Sequence, residues 1–160
     1  MNLEFSWQPP IMLARNKQII FTEDDLDRIE EDPGVYYFAR NFGDKSEPFY
    51  IGETTNLRTR LKNHLDTRRI ADILRGMTVA GAPTISNGPR SFHYAYFNAK
   101  KGQNCKKSLQ IAQKFMIGEA IAANIPLLNS KLTVIKTHSL TFVGSDVAQS
   151  IFKKQNSVAL

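Results

Sequence analysis

The feature that most constrains this chain is a change of period at residue 56. Before it, "GVYYFA" (34–39) and "PFYIG" (48–52) are aromatic and β-branched, with the turn-rich "RNFGDKSE" between them. That composition predicts a hairpin with a long loop. After it, Leu57, Leu61 and Leu65 recur at helical spacing, and Ile70, Ile73 and Leu74 continue into a second short helix. A third strand, "SFHYAYF" (91–97), follows a Gly- and Pro-bearing loop over 76–90. The longest helical pattern, 106–124, stops before Pro126, and "HSLTFVG" (138–144) reads as a late strand with a weak helix or tail behind it. At the front, "LEFSW" is an accessory strand ended by Pro9 and Pro10, and Thr22 caps an acidic helix that runs toward Pro33. Hairpin, helices, strand, helix, strand is the order of an α+β fold with a small, mainly antiparallel sheet.

The chain has 160 residues, 42% of them apolar and 22% charged, which suits one domain with an ordinary core. No stretch has the length and apolarity of a membrane span, and "MNLEFSWQPP" has neither the basic leader nor the apolar run of a signal peptide. Cys105 is the single cysteine, so an intramolecular disulfide and a multi-cysteine metal site are excluded, and a cytoplasmic setting fits. Net charge is +6, unevenly spread. Residues 22–33 hold seven of the fifteen acids and one base, leaving 20 bases against 8 acids elsewhere. The bases gather at Arg58, Arg60, Lys62, Arg68, Arg69 and Arg75, and again from Lys100 to Lys114. Such a field suits a polyanion such as nucleic acid. The acidic run reads as a solvated face, with two alternatives: a cover for the basic groove or a surface for a partner protein.

Three charged or polar side chains break the apolar pattern. Arg60 lies three residues after Leu57, and His64 three after Leu61, so both flank the buried ridge of their helix. Arg58, Lys62 and Arg69 fall elsewhere around it and read as exposed. On the later helix the apolar face is expected to run Leu109, Ala112, Phe115, Met116, Ala120 and Ala123, with Glu119 along it. Glu119 is the only acid from Ile73 to Val143, and a carboxylate on such a stripe needs a cation or a metal. A structural ion pair, with Arg60 for example, is the plain alternative. Tyr36 and Tyr50 are ordinary strand residues taken singly. Together with Arg60, His64 and Glu119 they would supply a cation for a phosphorane, a metal ligand and proton-transfer groups.

In this order these residues resemble the GIY-YIG nuclease superfamily. Its two triplets appear as Gly34-Val35-Tyr36 and Tyr50-Ile51-Gly52, separated by thirteen residues. Arg60 comes eight after Gly52, His64 four later, and Glu119 and the Asn129 of "IPLLNS" complete the set. The resemblance covers residues 33–130, with terminal extensions completing a single domain over 1–160. It implies a three-stranded, mainly antiparallel sheet flanked by helices, with short accessory strands at both ends.

The resemblance also implies a DNA endonuclease that hydrolyses phosphodiester bonds in double-stranded or branched DNA. Glu119 would hold one Mg²⁺ or Mn²⁺, Arg60 would stabilise the phosphorane, and Tyr36 would activate water with Tyr50 or His64. Asn129 would orient the Glu119 region or a phosphate oxygen, and Gly52 would let the strand turn into the helix. Glu53 stands where many relatives carry lysine, and reads as a helix-start carboxylate. No added DNA-binding module is legible, so specificity is expected from loop 76–90, the termini, a homodimer or a partner protein. The alternative function is a catalytically inactive nucleic-acid-binding module that uses the same basic cleft.

Overall fold

Both sequence periods become the elements they predict, but the strands reach well past their apolar stretches. A computed structural model describes residues 2–129, 137–141 and 155–159. Its first elements are β1 (Phe5–Trp7), β2 (Ile11–Arg15), β3 (Gln18–Ile19) and α1 (Glu23–Asp27). The hairpin follows as β4 (Gly34–Phe42) and β5 (Lys45–Thr54), then α2 (Leu57–Leu65) and α3 (Arg68–Leu74). β6 (Arg90–Phe97), α4 (Cys105–Ala122), β7 (Thr137–Thr141) and β8 (Gln155–Ala159) complete the order.

The architecture is α+β, and its sheet is larger than expected: six antiparallel strands where three were read. β4 lies between β5 and β6, with Tyr36 opposite Gly52 on β5 and Tyr94 on β6. β1 and β2 lie end to end along the outer edge of β6, and β3 pairs with β2. The expectation stopped at Pro9 and Pro10 because proline breaks a ladder. Here the prolines interrupt the edge, and pairing resumes at Ile11 opposite Phe92. The β2–β3 turn is Asn16-Lys17, both left-handed with φ of 52° and 63°. This is the backbone that a two-residue hairpin needs, from residues with no glycine signal.

The long hairpin loop is also corrected. β4 and β5 stay paired out to Phe42 opposite Lys45, so the turn is Gly43-Asp44, with Gly43 at φ 59°. The polar run reads as loop because this end of the hairpin is largely in water; Ser46 Oγ donates to Asn41 Oδ1 across it at 2.8 Å. The acidic helix is a short α1, closed by a capping box between Thr22 and Asp25, and ends at Arg28. The tail expected after β7 contains β8, which pairs with β7 in a separate two-stranded antiparallel sheet. The 142–144 end of the strand expected over 138–144 lies outside the described residues.

Alternation along β4 gives the sheet two different faces. Tyr36 and Phe38 join Leu57, Leu61, Ile70, Ile73 and Leu74 in the main core under α2 and α3. Ile51, with Tyr37 packed beside it, meets Ile117 and Ala120 of α4 in a second, smaller core. The apolar face expected for α4 is displaced around the helix. Its buried residues are Ser108, Leu109, Ile117 and Ala120, while Phe115 is 67% exposed. The aromatic was read inward because it is large, although Ile117 carries the packing against β5. Among the described residues no helix is long and apolar enough to cross a membrane.

Candidate active site

The strand-to-helix crossing sets four of the expected residues against one another. Tyr36 comes from the middle of β4, Tyr50 from β5, and Arg60 and His64 from successive turns of α2. Asn56 starts that helix by accepting from the Thr59 amide at 3.0 Å. The Tyr36 hydroxyl lies 2.7 Å from His64 Nε2 and accepts from Arg60 Nε at 3.1 Å. Tyr50 stacks on Tyr36 with rings 6.4 Å apart and 12° from parallel, and meets the His64 ring edge-on at 4.9 Å. Arginine can only donate, and the phenol has one hydrogen to give. We therefore assign Tyr36 as donor to His64 Nε2, which puts the imidazole proton on Nδ1.

Gly52 has a different reason from the one expected. β5 continues past it to Thr54, so it does not turn the strand into the helix. It sits opposite Tyr36, and a Cβ there would run into that ring and its hydroxyl. The glycine leaves room for the phenol to lie flat across β5. Glu53 is likewise a strand residue opposite Val35, not a helix-start carboxylate.

Burial sets the charge states. It pushes the Tyr36 phenol well above its usual range, outweighing the hydrogen bond and positive charge of Arg60 that pull it down. His64 is pushed down to about 4 by burial first and by the Arg60 charge second, so it is neutral at pH 7. The bond to Tyr36 holds the Arg60 guanidinium more firmly protonated than usual. The pair expected to face the interior thus divides: His64 is 7% exposed, whereas Arg60 is exposed, with its Nε bonded to the Tyr36 hydroxyl. Tyr36 is wholly buried and Tyr50 partly so, which makes Arg60 and Tyr50 the members that solvent can meet.

Glu119 is not drawn into this group. Its residue is exposed, and its carboxylate makes no ion pair or hydrogen bond among the described residues, with Arg60 or any other cation. It lies on α4, which packs on the face of the sheet opposite α2 and α3. Among the described residues no group of three His, Cys, Asp or Glu side chains converges as a metal site. A lone carboxylate across the sheet from Tyr36 does not by itself make a metal site beside that cluster.

Asn129 is buried, and both ends of its amide are used on one residue. Its Oδ1 accepts from the Ile51 amide at 3.2 Å and its Nδ2 donates to the Ile51 carbonyl. With Leu128 N donating to Phe49 O at 2.8 Å, the segment after α4 is laced to β5 on either side of Tyr50. Asn129 therefore fixes the strand that carries Tyr50, and the structure shows no link from it to Glu119. Arg69, read as exposed, is so, and its guanidinium donates to Leu128 O at 3.2 Å.

The basic face of α2 is also less free than its sequence suggests. Arg58 Nε donates to Ile29 O at 2.6 Å and its guanidinium to Asp27 O at 3.1 Å, while Lys62 Nζ lies 3.2 Å from Asp27 Oδ1. The segment 22–33 packs on α2 through these bonds and is not simply a solvated face. Sequence reasoning missed Arg90, which is 2% exposed and donates to the carbonyls of Ile73, Ser86 and Gly88. It anchors loop 76–90, and only a cation at a strand start hinted at it.

Comparison with known proteins finds no matching family model, no matching curated protein and no matching solved structure.

Proposed function

We propose that the chain is a divalent-metal-dependent DNA endonuclease of the GIY-YIG kind. The observation that carries the reading is the Arg60–Tyr36–His64 chain of hydrogen bonds with Tyr50 stacked on it. An arginine held at its Nε by a buried phenol, on a residue that is itself exposed, has a planar fork that can meet phosphate oxygens. Tyr50 is the phenol placed to meet an attacking water, because it alone of the two keeps exposed surface. Tyr36 and His64 stand behind and hold Arg60 in register; the neutral imidazole accepts a hydrogen bond from the Tyr36 hydroxyl. Glu119 is the residue that the resemblance assigns to Mg²⁺ or Mn²⁺, whose chemistry when bound would be Lewis-acid polarisation of a phosphate; because α4 lies across the sheet from Arg60, no step at the Arg60 surface is routed through it. Double-stranded or branched DNA is the substrate class that the basic balance of the chain supports.

Conversion of supercoiled plasmid to nicked or linear forms in Mg²⁺, absent in EDTA, tests the proposal. One observation favours a second reading. Glu119 stands apart from the four clustered residues, as it would in a module that binds nucleic acid at the Arg60 surface without turnover. DNA binding with no cleavage over several divalent metals would select that reading.

A further inference from the structure

A second cluster of rings lies on the other face of the sheet, away from Tyr36. Trp7, the only tryptophan, stands on β1 and is 56% exposed. Its indole meets the edge of Tyr37 at 5.7 Å and 75°. Tyr37 in turn stacks on His93, with rings 4.5 Å apart and 5° from parallel. Tyr37 and His93 are both half-buried, and Ser91 Oγ lies 2.8 Å from His93 Nε2, so that ring is held in place. A single exposed tryptophan is unremarkable. Three π systems in contact across β1, β4 and β6, with the outermost largely in water, are a platform rather than an accident of the edge.

Cations follow on the loop after β6. The loop 98–104 is tied to the β1 segment by Asn98 Nδ2, which donates to Ser6 Oγ at 2.7 Å and to Glu4 Oε1 at 2.8 Å, and by Gln103 Nε2 donating to Asn2 O at 2.8 Å. That loop carries Lys100 and Lys101, both exposed and neither in an ion pair among the described residues. The acid of this corner, Glu4, is engaged with Asn98.

We infer that Trp7, backed by Tyr37 and His93, is a stacking site for an unpaired nucleobase, with Lys100 and Lys101 meeting the phosphates of the same strand. Rings offer every base a face, and lysines follow a backbone without reading sequence, which is the chemistry of single-stranded nucleic acid. The site shares with the nuclease reading only its nucleic-acid ligand; it uses none of the residues around Tyr36. Unpaired strand held on one face and phosphate met on the other would favour branched or flapped substrates over plain duplex.

The lone tryptophan is its own reporter. In EDTA, titration with a short oligothymidylate should quench Trp7 fluorescence, and a blunt duplex of equal length should quench it far less. Trp7→Ala should weaken binding of a labelled oligothymidylate roughly tenfold or more by anisotropy, Trp7→Phe should retain most of it, and Lys100→Ala with Lys101→Ala should lower affinity and flatten its salt dependence. Because Trp7 is exposed, the variants should keep the wild-type circular dichroism. Arg60→Ala should quench like wild type, so loss of cleavage and loss of stacking are read separately. Absence of quenching, equal quenching by duplex, or undiminished affinity in Trp7→Ala would overturn the assignment.

Discussion

The Tyr36 hydroxyl and His64 Nε2 lie 2.7 Å apart between strand and helix, with the phenol wholly buried and the histidine 7% exposed. This bond joins the sheet to α2 and holds the phenol that accepts from Arg60 Nε. Removing the hydroxyl with Tyr36→Phe leaves a buried imidazole nitrogen without its partner, at about 1–3 kcal/mol. Urea denaturation should show that loss, and DNA cleavage should fall with it as Arg60 loses its register. Wild-type stability in Tyr36→Phe would mean that the bond contributes nothing to the fold.

Gly52 and Tyr36 should be energetically coupled. Gly52→Ala drives a methyl group into the Tyr36 ring and should cost about 1–3 kcal/mol, as overpacking does. In a Tyr36→Leu background the same substitution should cost much less. A double-mutant cycle in urea measures the difference, and additive costs would contradict the steric account.

His64 makes stability depend on pH in a defined direction. Its folded value, about 4, lies below the ordinary 6.5, so the unfolded chain binds the proton more readily. The stabilisation is full above pH 6.5 and is lost as pH falls toward 4 and below, by at most about 3 kcal/mol. Wild type should therefore lose more stability between pH 7 and pH 4 than His64→Gln does. Equal losses would show that other groups carry the acid sensitivity.

The acidic segment should restrain DNA binding through Lys62 more than through Arg58. Arg58 is fixed largely by the backbone carbonyls of Ile29 and Asp27, which side-chain substitution leaves in place. Lys62 faces the carboxylates of Asp27 and Glu23, at 3.2 and 3.9 Å. Glu23→Gln with Asp27→Asn should free it, strengthen duplex binding and steepen its salt dependence by about one counterion. These are exposed pairs, so stability should change by less than about 1 kcal/mol. Unchanged DNA affinity would remove the restraint.

Much of this was legible before any coordinates. The period change at Asn56 located the hairpin and α2, and the spacing of Arg60 and His64 from Leu57 and Leu61 set both beside the buried ridge of α2; their meeting with Tyr36 was implied by the family resemblance and is seen in the structure. The added strands were not legible. Ile11–Arg15 is a short run behind two prolines, and its turn uses left-handed Asn16 and Lys17 in place of the glycine that marks such turns. The α4 face was misread because helical spacing cannot say which side of an evenly apolar helix meets the sheet; Ile117 won the contact and Phe115 was left in water. Asn129 shows a different limit. Its amide answers the backbone of Ile51, a residue 78 positions away, and only tertiary contact reveals such a demand.

The central claim, that the Arg60 surface cleaves phosphodiesters, is tested most directly by one assay. Supercoiled plasmid is incubated with Mg²⁺ and with wild type, Arg60→Ala or Arg60→Lys, each first shown to be folded. Wild type should nick the plasmid, and Arg60→Ala should be slower by roughly 10²–10³-fold, the scale of losing one charge-stabilising donor. Arg60→Lys should recover little, because a point charge lacks the fork that both the Tyr36 hydroxyl and a phosphate require. Full cleavage by Arg60→Ala, or none by wild type in any divalent metal, would contradict the account.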